Sequence, residues 1–310
     1  MEFNHEPVLL NECIHHLNIK ADGIYVDGTL GGAGHSLEIA KNLSENGLLI
    51  GIDRDIYALE SAKQRLKDFN NVKYVNDNHD NIEEVLEELQ VDRVDGILLD
   101  LGVSSYQLDE KARGFSYMKE APLDMRMDQA QELTARKVIN EYTEEELARV
   151  IYEYGEEKFS RQIARNICKY REEVAIETTT QLVEILERSI PSFNKVKGGH
   201  PAKRTFQAIR IEVNNELEPL YNTIVNSVKY LKAGGRLCVI TFHSLEDRPV
   251  KQAYKELAET CNCSKELPYC VCNQKPEGII VTRKPVLPSE EEMQRNSRSK
   301  SAKLRTIEKL

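Results

Sequence analysis

An apolar run, Ile24-Tyr25-Val26, ends in Asp27, and four glycines fall within the next seven residues, Gly28-Thr29-Leu30-Gly31-Gly32-Ala33-Gly34. A helical pattern (Leu37, Ile39, Ala40, Leu43) follows at once. Strand, tight turn, helix is the reading. Glycine serves where backbone dihedrals are unusual or where a ligand must reach the main chain. At the end of the first strand of an α/β unit, such a turn is where nucleotides bind. The surrounding chain must then build a parallel sheet. Apolar runs at Ile24–Asp27, Leu48–Asp53, Val72–Val75 and Val94–Leu101 alternate with helical patterns, among them Ala58–Leu66 and Ile82–Leu89. That rhythm predicts a doubly wound, Rossmann-like α/β sheet.

The ligand is narrowed by acids. Asp53 follows Gly34 by nineteen residues, the spacing at which a carboxylate accepts from both hydroxyls of a ribose. Its alternative is to cap the next helix. Gly32-Ala33-Gly34-His35-Ser36-Leu37 lacks the third glycine of a dinucleotide fingerprint. Asp27, directly before the turn, would repel a pyrophosphate and suits a cationic ligand such as S-adenosylmethionine. A nicotinamide dehydrogenase is the disfavoured alternative. Asn76-Asp77-Asn78-His79 sits where adenine contacts usually lie, or is only a polar loop. The fourth run ends in Asp100-Leu101-Gly102-Val103-Ser104-Ser105, again on the ligand edge.

The rhythm then breaks. The next convincing strand, Arg236–Phe242, comes roughly 130 residues later, far beyond a normal crossover. The interval is helical: a capping box at Thr143 and Glu146 starts one helix, Phe159, Ile163 and Ile167 mark a second, Leu182, Ile185 and Leu186 a third. A basic glycine loop, Lys195–Arg204, precedes a helix over Arg204–Leu217. Polar side chains, His243 to Arg248, follow the fifth strand, then a helix Pro249–Glu259 and a strand Ile279–Thr282. The segment Arg295–Arg305 holds five basic residues in eleven and no acid, which suits phosphate contact. Net charge is −9, so any polyanion contact must be local. No signal peptide or membrane span is legible, and a cytoplasmic location with reduced cysteines is expected. Cys261, Cys263, Cys270 and Cys272 form two C-x-C pairs, off the C-x₂₋₄-C spacing of structural zinc; a reduced hairpin without metal is the expectation, and a four-thiolate zinc site is the alternative.

Longer blocks carry a resemblance. They are His5–Leu10, Asp27–Ser36, Leu99–Ser105, Arg113–Ser116, Pro122–Asp128, Lys203–Asn214 and Thr241–Arg248. In order, and from residue 5 to about 306, they resemble the RsmH (MraW) family of bacterial small-subunit ribosomal RNA methyltransferases. The resemblance implies a class I SAM-dependent methyltransferase with an inserted all-helical domain. Residues 1–108 and 213–310 would form the methyltransferase domain and a basic C-terminal tail, and 109–212 the helical substrate-recognition insert. The family methylates N4 of one cytidine in the decoding region of 16S ribosomal RNA. By motif, its S-adenosylmethionine site falls on Ala33, Gly34, His35, Asp53, His79, Asp100 and Gln107, beside Asp27, Gly31 and Gly32 of the turn.

The chain lacks the Asn/Asp/Ser-Pro-Pro-aromatic motif of many amino methyltransferases. Asp100, with Ser104 or a carbonyl, is therefore the candidate acceptor for the N4 hydrogens. His243 or Asp124 would complete the pocket. For Asp124, Arg126 and Asp128 an internal ion-pair cluster is the alternative. Arg126, Lys203, Arg204, Arg248, Arg295, Arg298 and Lys300 are candidates for the RNA. The expected partner is the small ribosomal subunit or its 16S RNA, with no membrane, and a homodimer stays open. Another RNA or DNA amino group, or a non-catalytic assembly module holding S-adenosylmethionine, are the competing functions.

Overall fold

The computed structural model describes residues 7–191, 200–261, 263, 272 and 274–310. His5, the Lys195–Gly199 part of the basic loop and Cys270 lie outside the described residues. In chain order the first elements are α1 (Leu10–Leu17), β1 (Ile24–Asp27), α2 (Gly34–Asn42), β2 (Leu48–Ile52), α3 (Ile56–Arg65), β3 (Val72–Val75), α4 (Ile82–Glu88) and β4 (Val94–Asp100). Then come α5 (Ser105–Asp109), α6 (Ala135–Glu141), α7 (Glu144–Glu153), α8 (Ser160–Arg171), α9 (Thr179–Ser189) and α10 (Ala202–Asn214). The chain closes with α11 (Leu220–Lys229), β5 (Leu231–Thr241), α12 (Ser244–Leu257), β6 (Gly278–Ile280), α13 (Glu290–Arg295) and β7 (Lys303–Lys309). Two compact units result, one of residues up to Gly102 with Leu217–Leu310, the other Val103–Glu216. The first break precedes the expected 108/109 boundary because α5 groups with the helical unit.

In the first unit seven strands run in the order β3-β2-β1-β4-β5-β7-β6. β1 to β5 are parallel, and β7 lies antiparallel between β5 and β6. Strand order reverses at β1/β4, the switch point outside whose carboxyl ends ligands bind. Strand side chains alternate between two buried faces, as a parallel sheet requires. Val26, Ile97, Leu99, Leu237 and Val239 pack with Ile82, Leu86, Ile224, Val228 and Tyr254 of α4, α11 and α12. Tyr25, Leu98, Cys238 and Ile240 pack with Cys13, Leu17, Ile39 and Leu59 of α1, α2 and α3.

Three elements differ from expectation. β5 begins at Leu231 rather than Arg236, since Leu231 pairs with Val94 across a register shift. Helix α12 begins at Ser244, ahead of Pro249, because the Glu246 carboxylate accepts from Phe242 N–H at 2.7 Å and anchors the first turn. The supposed basic tail is largely structured. Arg295 ends α13, Arg298 and Lys300 lie in a 3₁₀ turn, and Lys303 and Arg305 belong to β7. Arg305 grips Asp247 of α12 through both carboxylate oxygens (2.6 and 3.1 Å).

The second unit is helical, around Leu123, Met125, Val138, Leu147, Ile151, Ile163, Leu186, Phe206 and Ile209. Thr143 with Glu146, and Thr178 with Gln181, make capping boxes for α7 and α9. Buried Asn214 accepts from Met127 N–H and donates to the Met125 and Arg210 carbonyls, all at 2.8 Å. Asn214→Ala would strand buried backbone groups at about 1–3 kcal/mol each. Urea unfolding should therefore show a loss of about 2–4 kcal/mol, and a loss below ~1 kcal/mol would deny Asn214 this role.

Candidate functional site

The glycine turn is stitched between β2 and β4. Gly28 N–H donates to Leu98 O (2.9 Å), Leu30 N–H to Ile52 O (3.1 Å) and Gly31 N–H to Asp53 Oδ2 (2.8 Å). Its glycines have different tasks. Gly31 and the following Ala33 both hold positive φ, 46° and 54°. A methyl on Gly34 would lie 2.2 Å from Pro7 Cγ, and one on Gly28 2.5 Å from Leu99 Cδ2 and 3.1 Å from His79 Cβ. Gly32 meets nothing within 4 Å, so the main chain is open there to an approaching ligand.

Around this turn the strand ends gather acids. Asp27 is buried and accepts from Ser36 Oγ (2.6 Å) and Thr29 N–H (3.2 Å). Burial raises its pKa, and those donors and His35 oppose the rise. Asp53 accepts from Gly31 N–H and, through Oδ1, from Asp55 N–H at 2.9 Å. Each oxygen keeps a further lone pair. Burial pushes Asp53 up to about 6. The helix-capping role that Asp53 might have filled belongs instead to Asp55, which accepts from Tyr57 N–H.

Asp100 closes β4. Its N–H donates to Thr29 Oγ1 (2.6 Å), and its Oδ1 is buried with no hydrogen-bond partner. Burial, then the charges of Asp27 and Glu246, push its pKa up to about 8. His35 Nε2–H donates to Val8 O at 2.9 Å, which turns Nδ1 toward Asp100 Oδ2 at 3.8 Å. Burial lowers the His35 pKa, so the ring is neutral and Nδ1 is an acceptor. His79 lies against Gly28, 3.6 Å from Asp80, with its pKa lowered to about 4 by burial. His243 Nε2 stands 2.9 Å from Glu246 Oε1.

The arrangement favours a cationic ligand. Asp27 and Glu246, joined by Asp100 once it is deprotonated, put negative potential at the switch point, and the Asp100 Oδ1 has no hydrogen-bond partner. A pyrophosphate would meet repulsion. S-adenosylmethionine, with a sulfonium, an ammonium and a ribose diol, fits this donor set. Glu246 was not among the residues expected here. Its signal was its place three residues beyond His243, at the start of a helix after a sheet strand.

Other expected residues are engaged elsewhere. In the second unit, Arg126 binds Asp124 through Nε (3.0 and 3.2 Å) and Nη2 (2.8 Å), and its Nη1 donates to the Gln129 and Gln131 carbonyls. The two thus form the internal ion pair that was the alternative to catalysis and RNA contact, and the pair braces a loop. Ser104 and Gln107 form the capping box of α5, Ser104 Oγ accepting from Gln107 N–H (3.2 Å) and Gln107 Oε1 from Ser104 N–H (3.0 Å). The Ser-x-x-Gln spacing announces that box. Arg204 leans on Glu157 at 3.7 Å, while Lys203, Arg248, Arg295 and Lys300 are exposed and Arg298 is half-buried.

The chain matches the sequence model described as the MraW methylase family over residues 2–310. Two proteins named ribosomal RNA small subunit methyltransferase H, from Clostridium botulinum strains Kyoto and Hall, are 59% and 60% identical over 310 residues, covering 100% of both chains. A solved structure, a putative rRNA-methylase from Clostridium thermocellum, aligns with 99% of this chain and 100% of its own at 13% identity and a TM-score of 0.47.

The acid cluster makes a measurable statement. Carbonyl ¹³C titration of ligand-free protein should give Asp100 a midpoint of about 8, lowered in Glu246→Gln. A midpoint in the ordinary carboxylate range would remove the acid cluster from consideration.

Proposed function

The chain belongs to the MraW methylase family, and from that premise we propose that it methylates N4 of a specific cytidine in the decoding region of 16S ribosomal RNA. It is a methyltransferase with S-adenosylmethionine as methyl donor, as the names of its full-length relatives and its family support. The observation that carries the reaction assignment is Asp100, a half-buried acid whose Oδ1 is buried without a hydrogen-bond partner at the switch point of the sheet.

Asp53 would hold the ribose hydroxyls with its remaining lone pairs. Neutral His79, packed on Gly28, would border the adenine. Open Gly32 would let the nucleoside approach the main chain, with Ala33 and Gly34 starting α2 beneath it. Asp27, Asp100 and Glu246 would face the cationic part. S-adenosylmethionine supplies an electrophilic methyl group on a sulfonium.

Cytosine N4 is a poor nucleophile because its lone pair is delocalised into the ring. Asp100, deprotonated, would accept a hydrogen bond from N4–H, orient the lone pair and take the proton as the new N–C bond forms. A proton affinity raised towards neutrality matches this task. His35, tied to Val8, and Glu246, tied to Phe242 N–H, hold the surroundings still. The target base must be unstacked to reach Asp100. Lys203, Arg248, Arg295, Arg298 and Lys300, with Arg204, are the proposed phosphate contacts. The small subunit is the proposed partner and the cytoplasm the proposed location; among the described residues no helix is long and apolar enough to cross a membrane.

Purified protein with labelled S-adenosylmethionine and small subunits lacking the modification should yield N4-methylcytidine. Transfer to another nucleotide, or none under conditions of demonstrated cofactor binding, would refute the assignment. Asp100→Asn should lower kcat by about 100-fold or more; activity within a few-fold of wild type would acquit Asp100.

pH adds a second check. A cation binds the charged form of Asp100, so S-adenosylmethionine affinity should climb with pH and level off above about 8, the free-protein value. It should fall further below about 6 as Asp53 takes a proton. A flat profile in calorimetric titrations would contradict both roles.

A further inference from the structure

We propose that Cys261, Cys263 and Cys272 form a thiolate site for a divalent zinc ion. Their sulfurs lie within 4.8 Å of one another. Cys272 Sγ is 3.8 Å from Cys261 Sγ, far too long for a disulfide. Zinc–sulfur bonds of about 2.3 Å in tetrahedral array set ligand sulfurs about 3.8 Å apart. Cys263 N–H donates to Cys261 Sγ at 3.4 Å, which brings the two cysteines to one side.

The contrast with the other cysteines matters. Cys13 and Cys238 are buried in the core, where burial raises both thiol pKa values and leaves them inert. Cys261 is exposed, and Cys263 and Cys272 are half-buried. Cysteine used as a small hydrophobe goes inside; three converging outside the core need another reason. Thiolate-rich sites select soft cations, and zinc, without redox chemistry, suits a reducing compartment. On binding, three S–H bonds give up protons to solvent and three zinc–sulfur bonds form. Cys270 lies outside the described residues and is not part of this assignment.

The site's place says what it does. It follows the end of α12 at Leu257 and precedes β6 at Gly278. Two bonds pin the segment's base: Gln274 Nε2 donates to Glu259 O (3.2 Å) and Glu277 N–H to Leu257 O (2.7 Å). His243 and Glu246 stand at the opposite end of α12, a helix of 14 residues or about 20 Å. The ion would tie Cys261 and Cys263, just beyond α12, to Cys272, ahead of β6, and take no part in methyl transfer.

The test is metal binding by the full chain. Protein purified in reductant without chelator is assayed for zinc by plasma mass spectrometry, then stripped and titrated with Co²⁺. The expected result is zinc or cobalt in a one-to-one ratio with chain and strong thiolate-to-cobalt charge-transfer absorption. Cys272→Ser should bind at least roughly tenfold more weakly, and Cys168→Ser should bind as wild type. Chelation should lower the Tm of wild type while S-adenosylmethionine affinity stays unchanged. Reduced wild-type protein that takes up no cobalt, or a Cys272→Ser protein that keeps the absorption, overturns the proposal. So does recovery of a Cys261–Cys272 disulfide that on reduction still binds no metal. These readouts are independent of the RNA assay.

Discussion

A carboxyl oxygen buried without a hydrogen-bond partner is costly to keep charged, and the first unit holds one at the end of its central strand. The sheet makes this unavoidable. Asp27 pairs with Leu98 in register, and Asp100 comes two residues later, so its side chain shares the face of Leu98. That face is covered by α1 and α2, and α2 brings His35 to 3.8 Å. The same parallel pairing that buries the core therefore drives two acids to one edge. Glu246, fixed by Phe242 N–H, adds a third from after β5.

Such a site is quiet until a cation arrives. With Asp100 raised to about 8, its neutral form prevails at neutral pH and limits the repulsion from Asp27 and Glu246. The native state then binds a proton that the unfolded chain releases above its ordinary pKa, so this group's stabilising effect fades as pH rises through about 8. In the proposed function a bound positive charge replaces that proton. Ligand binding and folding are thereby coupled through one carboxyl group, and the fold tolerates the arrangement because protonation relieves it.

Much of this was legible in residue patterns, for reasons that can be traced. The turn was readable because glycine dihedrals and an open main chain leave a compositional mark. Asp53 and Asp100 were readable because parallel strands end in predictable places. β7 was obscured because Lys303 and Arg305 alternate with the buried Leu304 and Thr306, and charge density there mimicked a solvated arm. Asp124 and Arg126 show the other limit. A bidentate pair two residues apart and a surface contact use the same residue types, and only side-chain geometry separates them. Gln107 is intermediate: its capping role was visible in the Ser-x-x-Gln spacing, whereas a ligand role came only from resemblance.

That limit bears on RNA contact. A chain of net charge −9 cannot attract RNA through its overall field, yet many of its arginines serve its own carboxylates. Arg126 is spent on Asp124, Arg210 on Glu216, Arg236 on Glu308 and Arg305 on Asp247. Planar guanidinium forks suit such locks, bidentate for Arg126, Arg210 and Arg305, and each neutralises an acid that would otherwise repel phosphate. The proposed phosphate contacts are then exposed cations such as Lys203 and Lys300. These are compact charges on flexible stems, better at following a backbone than at fixing a geometry. In the proposed function positional accuracy comes from the acids gathered around Asp100, and affinity from the more adaptable cations.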